Sequence, residues 1–390
     1  MAVGRTFYQD SAEELRLLVT SDGLEPCGLM QAKRDKPDAA TFIGSGKTEE
    51  LGELAREAGA DVIVFDIALS AGQQRNLARE TNLPVMDRTE LILEIFRARA
   101  KSREGRLQVE LARLEHLSTR LVRGWTHLER QRGGLGKTGG PGEKQIELDR
   151  RMIGVQVKRL RDQLKKLAKQ RGTQRRARSR GDALTVSLVG YTNAGKSTLF
   201  NKLTRANSYA ADQLFATLDT TARKFWLNDE ETVVASDTVG FIRGLPHQLI
   251  EAFKSTLDET VHADLLLHVV DAASPVREAQ IAEVNAVLAD IHADDVPAII
   301  VYNKIDLSGH PAEIVRGPAG EPKAVFVSAL TGEGLDLLRS AVAEFSAQWR
   351  SDHPQVPRAP EPWEEELADE REAARRKTPE EELAELEALI

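Results

Sequence analysis

One glycine-rich segment constrains the fold of this chain more than any other feature. It runs Gly190-Tyr-Thr-Asn-Ala-Gly-Lys-Ser197 and matches the phosphate-loop pattern G-x-x-x-x-G-K-[ST]. The β-branched run 184–189 before it predicts a buried strand, and the apolar spacing of residues 197–203 after it predicts a helix. In that setting successive backbone N–H groups form a concave phosphate site at a helix N-terminus. We therefore interpret the segment as a nucleotide-binding loop rather than as a chance glycine turn.

Three further segments follow in the order that a guanine-nucleotide domain needs. Asp237-Thr-Val-Gly240 and Asn303-Lys-Ile-Asp306 each end a predicted buried strand, where α/β proteins bind their ligands. The Asp306 carboxylate can accept two hydrogen bonds from the N1 and N2 groups of guanine. Adenine lacks that donor pair, and sites of this kind discriminate by about 10⁴ or more. We predict GTP rather than ATP as the ligand, with Ser328-Ala-Leu330 closing over the base and the Ala329 N–H on the guanine O6.

The same segments predict a Mg²⁺ site. The Ser197 hydroxyl binds the ion, and a GTPase needs a mobile threonine that completes the metal shell only when the γ-phosphate is present. We choose Thr217 for that role, although spacing alone leaves Thr220 and Thr221 open. Asp237 would hold a water of the Mg²⁺ shell. The predicted metal ligands are therefore Ser197 and Thr217, with Asp237 acting through water.

The predicted catalytic residues are Lys196, Thr217 and Gly240. Lys196 reaches the β- and γ-phosphates, and the Gly240 N–H faces the γ-phosphate. Phe241 follows, where many GTPases have a water-orienting glutamine, and phenylalanine cannot orient water. We expect slow hydrolysis by the isolated protein, about 10⁻⁴ to 10⁻² s⁻¹, with a partner or a monovalent cation supplying the missing assistance.

Two sources of that assistance stay open. Asn193 could ligate K⁺ beside the phosphates, or it could only stabilise the loop. Arg243 or Arg223 could act as an arginine finger, although each is more simply a surface charge. The complete set of predicted GTP-contacting residues is Gly190, Tyr191, Thr192, Asn193, Ala194, Gly195, Lys196, Ser197, Thr198, Phe215, Ala216, Thr217, Leu218, Asp219, Asp237, Thr238, Val239, Gly240, Asn303, Lys304, Asp306, Ser328, Ala329 and Leu330.

The amino-acid composition limits the number of domains and the cellular compartment. A chain of 390 residues is long enough for two or three domains with substantial cores. The single cysteine, Cys27, excludes a disulfide framework and a cysteine metal cluster and fits a reducing cytosol. The N-terminus lacks an apolar signal core, and no run approaches 18 apolar residues. We expect a cytoplasmic monomer without a transmembrane segment.

The distribution of charge indicates a polyanionic partner. The net charge is −8, yet residues 97–180 contain 25 Lys and Arg against 8 Asp and Glu, a balance of +17. Apolar spacing predicts two long helices there, about 97–123 and 147–170, which form an antiparallel hairpin. The predicted apolar residues of its packed face are Leu107, Leu111, Leu114, Leu117, Leu121, Val157, Leu160, Leu164 and Leu167. The glycine-rich loop 130–143 joins them and contains the predicted RNA-contacting residues Arg130, Arg132 and Lys137.

The predicted fold class is α/β, with a P-loop GTPase domain preceded by a small α/β domain and a basic antiparallel helical hairpin. The domains are residues 1–96, which combine helices with a parallel sheet, the hairpin 97–181, the GTPase domain 182–349 and the tail 350–390. The tail is rich in proline and then strongly acidic, so we expect it to be disordered or partly helical.

The N-terminal domain contains a second segment that resembles a phosphate loop. It is Gly44-Ser-Gly-Lys-Thr48, but Thr41 stands where the leading glycine would be. We therefore predict that Thr48 caps a helix over 48–58. Further along, Ser70 caps a predicted amphipathic helix that extends to Asn82.

Several segments together resemble the HflX family, GTPases that associate with the large ribosomal subunit. They are Gly44–Lys47, Leu69–Asn76, Asp87–Thr89, Gly105–Leu111, Gly140–Glu143, Glu147–Arg151, Gly190–Lys196, Phe215–Leu218 and Asp237–Ile242. The resemblance implies that the N-terminal domain and hairpin dock onto ribosomal RNA, with the glycine-rich loop directed to the peptidyl-transferase region. It also supports Thr217. Related chains can carry a folded domain after the GTPase domain, which residues 351–390 do not resemble.

The resemblance leaves the cellular role open among translation, ribosome rescue or splitting, and ribosome biogenesis. Two alternatives from other classes also stay open. One is a GTPase switch that regulates a protein or membrane partner through a coiled-coil hairpin without RNA. The other is an RNA remodeller driven by ATP at the N-terminal domain, which the missing glycine at Thr41 argues against.

Overall fold

The computed structural model describes residues 5–33, 36–123, 141–179, 184–205, 214–215, 217–218, 221–228, 231–245 and 247–352. Residues 1–346 form one compact unit, and residues 347–390 form another. The predicted RNA-contacting residues Arg130, Arg132 and Lys137 lie outside the described residues, as do the candidates Ala216 and Asp219. The predicted tail lies outside them from residue 353 onward.

The described residues form twelve helices and nine strands. The helices are α1 Arg5–Ser21, α2 Ser45–Glu57, α3 Ala71–Thr81, α4 Arg88–Arg99, α5 Arg103–Arg123, α6 Pro141–Ser179, α7 Lys196–Thr204, α8 His247–Ala252, α9 Lys254–Val261, α10 Arg277–Asp290, α11 Ile305–Ser308 and α12 Leu335–Asp352. The strands are β1 Ile63–Phe65, β2 Val85–Asp87, β3 Thr185–Gly190, β4 Thr221–Trp226, β5 Thr232–Asp237, β6 Leu265–Asp271, β7 Ala298–Asn303, β8 Ile314–Arg316 and β9 Pro322–Phe326. The predicted α/β class is confirmed.

The N-terminal region contains the small parallel sheet that the sequence predicts. Strands β1 and β2 pair in parallel. The Ser70 hydroxyl accepts a hydrogen bond from the Gln73 N–H at 3.2 Å, and Asn82 ends α3 in the left-handed conformation. The serine cap and the end of this helix therefore lie where the sequence predicts them.

The second segment that resembles a phosphate loop opens α2, but not as predicted. The helix begins at Ser45, with Gly44 at its N-cap and no side-chain cap. Thr48 therefore does not cap it: its buried hydroxyl donates back to the Gly44 carbonyl at 2.8 Å. The Lys47 ammonium lies 2.6 Å from the Glu50 carboxylate on the helix surface. These contacts engage Lys47 and Thr48 of the motif within the helix and its N-cap.

The boundaries of the hairpin differ from the predicted ones. Arg97 lies in the last turn of α4, and the chain becomes extended at Ala100 before α5 begins. The predicted domain boundary between residues 96 and 97 falls in the last turn of α4, and the division into domains stays a prediction. At the other end α6 begins at Pro141, because proline suits the first helical position. Although α6 has 39 residues, no described helix is long and apolar enough to cross a membrane.

The two hairpin helices pack along each other. The Arg161 guanidinium lies 2.7 Å from the Glu115 carboxylate across the pair. Leu117, predicted on the packed face, is instead 48% exposed. The other predicted seam residues with a described side chain are buried or half-buried: Leu107, Leu111, Leu114, Val157, Leu160, Leu164 and Leu167.

The C-terminal region is built on a seven-stranded sheet with the strand order β4-β5-β3-β6-β7-β9-β8. Strands β3, β5, β6, β7 and β9 are parallel, and the edge strands β4 and β8 are antiparallel to their neighbours. The chain leaves β3 for β5 on one side and returns to β6 on the other. Such a switch of direction opens a crevice at the carboxyl ends of the strands, where ligands bind.

One apolar core joins the N-terminal helices to this sheet. The Phe96 ring on α4 meets the Phe215 and Phe253 rings edge-on, with centroids 4.6 and 5.0 Å away. All three side chains are almost fully buried. Phe215 lies two residues before Thr217, so α4 packs directly against the segment that carries the predicted switch threonine.

Candidate nucleotide site

The loop between β3 and α7 has the backbone shape that a phosphate cradle requires. Gly190, Asn193 and Gly195 all have positive φ, at 148°, 60° and 92°. A Cβ on Gly190 would lie 2.2 Å from the Val269 carbonyl, and one on Gly195 would lie 2.2 Å from the Asn303 amide nitrogen. Only glycine fits at those two positions, which is the physical reason for the two glycines of the motif.

Lys196 is the first residue of α7 and is 6% exposed. Its ammonium donates to the carbonyls of Gly190 at 3.1 Å and Tyr191 at 2.8 Å. Burial lowers the pKa of Lys196 to about 8, against the opposing influence of the Asp237 charge. A phosphate at the loop would supply the negative charge that restores its usual protonation.

Three oxygens from three separate elements meet beside Lys196. The Ser197 hydroxyl lies 2.6 Å from the Thr217 hydroxyl and donates to Asp237 Oδ2 at 2.7 Å. Thr217 also donates to Asp237 Oδ2, at 2.8 Å. The structure thus brings the three predicted metal ligands together. Of the two alternatives to Thr217, Thr221 begins the edge strand β4 and Thr220 lies outside the described residues, so Thr217 stays the predicted switch threonine. A cluster of hard oxygen ligands suits Mg²⁺.

Asp237 is the charged centre of this oxygen cluster. It is 1% exposed, and its Oδ1 has no hydrogen-bond partner among the described residues. Burial raises the pKa of Asp237, although the Ser197 hydroxyl and the Lys196 ammonium act in the opposite direction. A buried carboxylate with one free oxygen fits a site that receives a cation.

The segment after β5 is held against the phosphate loop. The Thr192 N–H donates to the Phe241 carbonyl at 2.7 Å, and the Phe241 N–H donates to the Gly190 carbonyl at 3.1 Å. The Phe241 side chain is fully buried in the apolar core. This position therefore serves packing, in agreement with the inference that it does not orient water.

Asn303 connects the phosphate loop to the loop after β9. Its side-chain nitrogen donates to the Ala194 carbonyl at 2.9 Å, and its oxygen accepts from the Ala329 N–H at 2.8 Å. The Ala329 N–H, predicted to reach the guanine O6, is therefore already bonded within the protein. Asn303 is 2% exposed, so its buried amide holds the two loops together by hydrogen bonds.

The predicted base-recognition carboxylate lies open to solvent. Asp306 is exposed, and its Oδ1 accepts from the Ser328 hydroxyl at 2.6 Å. Lys304 adopts the left-handed conformation, and its ammonium lies 2.7 Å from the Asp271 carboxylate. Ser328 therefore orients Asp306 while leaving its second oxygen available to a ligand.

Most of the predicted site residues share one edge of the sheet. Gly190–Thr198 follow β3, Asp237–Gly240 begin at the end of β5, Asn303–Asp306 begin at the end of β7 and Ser328–Leu330 follow β9. These strands are parallel, so their carboxyl ends meet. Leu330 is an outlier, with 71% of its surface exposed.

A polar cluster that the sequence did not reveal ties the N-terminal region to this edge. We define it as Glu14, Asp66, Arg88, Tyr191 and Arg243. Arg88 is ion-paired to Glu14 and Asp66, and its Nη2 donates to the Arg243 carbonyl at 3.1 Å. The Glu14 carboxylate also accepts from the Tyr191 hydroxyl, which itself accepts from the Arg243 N–H at 2.8 Å.

The polar cluster corrects the interpretation of Arg243 as a surface charge. Its guanidinium donates to Asp66 Oδ2 at 3.0 Å, so it is engaged by the N-terminal region.

Burial raises the pKa of Tyr191 far above its usual range, with the Glu14 charge adding to the effect. For Arg88 burial favours the neutral form, but Glu14 and Asp66 outweigh it and raise the pKa. Contacts between residues so distant in sequence leave no local pattern from which to predict them.

Replacing Arg88 by alanine should destabilise the protein. The side chain is almost buried between two carboxylates, so its loss leaves Glu14 and Asp66 without their shared cation. We expect a loss of about 3 kcal/mol in the free energy of unfolding, measured by urea denaturation. Arg79→Ala removes an exposed arginine from α3 and should change it little. Equal stability of the two variants would contradict this assignment.

The fold and the site together define the class of this protein. A phosphate loop between β3 and α7, an oxygen cluster beside it and an N-K-x-D segment at the end of β7 are the parts of a P-loop GTPase.

Comparisons with known proteins specify the family. Three family models match in succession: "GTP-binding GTPase N-terminal" over residues 9–97, "GTP-binding GTPase Middle Region" over 99–178 and "50S ribosome-binding GTPase" over 185–304. GTPase HflX of Escherichia coli K12 is 50% identical over 336 residues, covering 86% of this chain and 79% of that protein. GTPase HflX of Magnetococcus marinus is 50% identical over 338 residues, covering 87% and 78%.

The chain belongs to the HflX GTPase family. The resemblance inferred from the motifs is confirmed, and the protein is a GTP-hydrolysing enzyme. Among solved structures, the complex of SsGBP with GDP is similar in fold, with a TM-score of 0.50 and 23% identity over 87% of this chain and 97% of that one.

Proposed function

We propose that GTP binds with its phosphates on the loop 190–197, its Mg²⁺ on the oxygen cluster and its guanine on Asp306. The convergence of Ser197, Thr217 and Asp237 from three elements is the observation that supports this most strongly. Mg²⁺ bound there would neutralise charge on the β- and γ-phosphates. Lys196, next to the oxygen cluster, would add a second positive charge.

The remaining parts of this proposal concern rate. Gly240 would offer its N–H to the γ-phosphate. Slow hydrolysis by the isolated protein stays a prediction. It is supported by the Phe241 side chain, which is buried in the core and cannot orient water. Asn193 as a K⁺ ligand also stays a prediction. Its left-handed backbone within the loop fits both that role and simple loop stabilisation.

We further propose that the partner is the large ribosomal subunit, bound through the N-terminal domain and the hairpin. The charge balance of +17 over residues 97–180 is typical of a segment that binds RNA. The family description "50S ribosome-binding GTPase" supports the same partner. On the described part of α6 the exposed basic residues are Arg150, Arg151, Lys158, Arg159, Arg161, Lys165, Lys166 and Lys169. A cytoplasmic, ribosome-bound location would follow.

Co-sedimentation with separated ribosomal subunits tests this proposal. We expect binding to the large subunit that is strongest with a GTP analogue and weaker with GDP or without nucleotide. The main alternative is a switch that acts on a protein or membrane partner through the hairpin, without RNA. Failure to sediment with either subunit at low salt would favour that alternative.

The loop of the hairpin should contribute to the salt dependence of subunit binding. Neutralising Arg130, Arg132 and Lys137 together removes three charges that would displace counterions. Log affinity should then fall less steeply with log salt, by about 0.7 to 0.9 units of slope for each phosphate that the loop no longer neutralises. GTP binding should be unchanged, because the loop lies outside the nucleotide motifs.

A matched variant with three charges removed elsewhere provides the control. Three exposed basic residues outside both the N-terminal domain and the hairpin are Lys202, Lys224 and Lys323. Their joint neutralisation should leave the salt slope close to that of the wild type. Identical slopes for both triple variants would mean that the loop is a spacer and that the RNA contact lies elsewhere. Deleting the chain after Arg350 should cost little affinity, because the acidic residues there repel phosphate.

A further inference from the structure

The phosphate loop holds one buried hydroxyl that is not engaged within the described part of the chain. Thr192 is 6% exposed, and its Oγ1 has no hydrogen-bond partner among the described residues. Burying an unpartnered hydroxyl costs free energy, so it is found where a ligand or water completes the bonding. Nearby hydroxyls are engaged: Ser197 donates to Asp237, and Thr238 donates to the Leu188 carbonyl at 2.6 Å.

Thr192 lies beside two residues that are proposed to contact the γ-phosphate. The position that a Cβ on Gly240 would occupy is 2.9 Å from Thr192 Cγ2, 3.0 Å from Thr192 Cα and 3.0 Å from the Lys196 ammonium. Thr192 therefore packs on the glycine proposed to face the γ-phosphate, next to the lysine proposed to bind it. A rotation by about 120° around χ1 can place the hydroxyl where the methyl group lies.

We infer that the Thr192 hydroxyl is a catalytic group that orients the attacking water. This inference rests on the proposed placement of GTP. A hydroxyl has one donor and two acceptor sites. Thr192 can accept a hydrogen bond from the water while donating to a γ-phosphate oxygen, and so holds the water in line with the phosphorus. Phe241 cannot do this, because its side chain lies in the core.

The reaction balances without further reactants. The water oxygen forms a bond to the γ-phosphorus, and the bond from that phosphorus to the β–γ bridging oxygen breaks. GDP leaves with the bonding electrons, and the proton of the water passes to a phosphate oxygen or to solvent. Thr192 gains and loses no proton overall, which suits a hydroxyl with a high pKa.

Two substitutions separate the hydroxyl from the methyl group. Thr192→Val keeps the branched shape and removes the hydroxyl, whereas Thr192→Ser keeps the hydroxyl and removes the methyl. In single-turnover assays we expect hydrolysis by the valine variant to slow by roughly 10- to 100-fold, the loss typical of a hydrogen bond to a charged group. The serine variant should stay within about threefold of the wild type, and the affinity for GDP should stay within about twofold in both.

Binding of GDP with aluminium fluoride, a mimic of the transferring phosphate, supplies a second readout. We expect the valine variant to lose affinity for this complex while retaining affinity for GDP alone. Wild-type rates in Thr192→Val would overturn the inference, as would equal losses in the valine and serine variants, which would indicate a packing role. Absence of GTP binding by the wild type would instead overturn the proposed placement of GTP, and this inference with it.

Discussion

Replacing Lys196 by alanine is expected to abolish GTP hydrolysis. The ammonium is held by the carbonyls of Gly190 and Tyr191 at the mouth of the phosphate loop. It would there meet the charge that develops on the β–γ bridging oxygen as the bond breaks. Removing a single preorganised donor from such a site costs about 10²- to 10³-fold in rate, and a full positive charge should cost at least as much. Single-turnover hydrolysis with labelled GTP measures the effect.

A lysine on the same helix provides the control for charge and helix content. Lys202 lies in the last turn of α7 and is exposed. Lys202→Ala should hydrolyse GTP at nearly the wild-type rate. Thermal unfolding of both variants checks that neither has lost its fold. Hydrolysis by Lys196→Ala at the rate of Lys202→Ala would refute the assignment of the phosphate loop.

The parts of the site that the sequence predicts are those with a local cause. The loop that begins at Gly190 needs two glycines for its backbone shape, a lysine at the helix start and a strand before it, so chemistry and spacing appear together in one short segment. The same holds for the serine that caps α3, because a cap acts on the N–H three residues later. Patterns of this range can be recognised without a structure.

The parts that could not be predicted depend on contacts between distant segments. The Arg88 guanidinium reaches a carbonyl 155 residues further along the chain, and Tyr191 reaches Glu14 over 177 residues. The Asn303 amide likewise bonds two loops that are far apart in sequence. The prediction for the start of α2 was wrong for a different reason. Gly44 occupies the N-cap position without a side-chain hydrogen bond, so no residue type in the sequence marks the cap.

The second large effect is expected from a substitution of Asp306, the residue proposed to bind the guanine base. Asp306→Asn should weaken GTP binding by about 10²- to 10⁴-fold, because the amide nitrogen would donate toward guanine groups that also donate. Xanthine has an acceptor at the 2-position, so the same variant should gain affinity for xanthosine triphosphate. Ser328 holds Oδ1 of the native carboxylate at 2.6 Å and can also bond the amide oxygen, which favours an amide nitrogen directed at the base.

Competition between the two nucleotides for a fluorescent analogue measures this exchange of specificity. The control is Asp294→Asn, which neutralises an exposed aspartate in the loop between α10 and β7 and should leave both affinities unchanged. A general disturbance of the domain would weaken both nucleotides together, whereas an exchange of hydrogen-bond partners must weaken one and strengthen the other. Unchanged GTP affinity in Asp306→Asn would remove the guanine assignment. The opposite movement of the two affinities is therefore the result that distinguishes recognition of the base by Asp306 from a loss of fold.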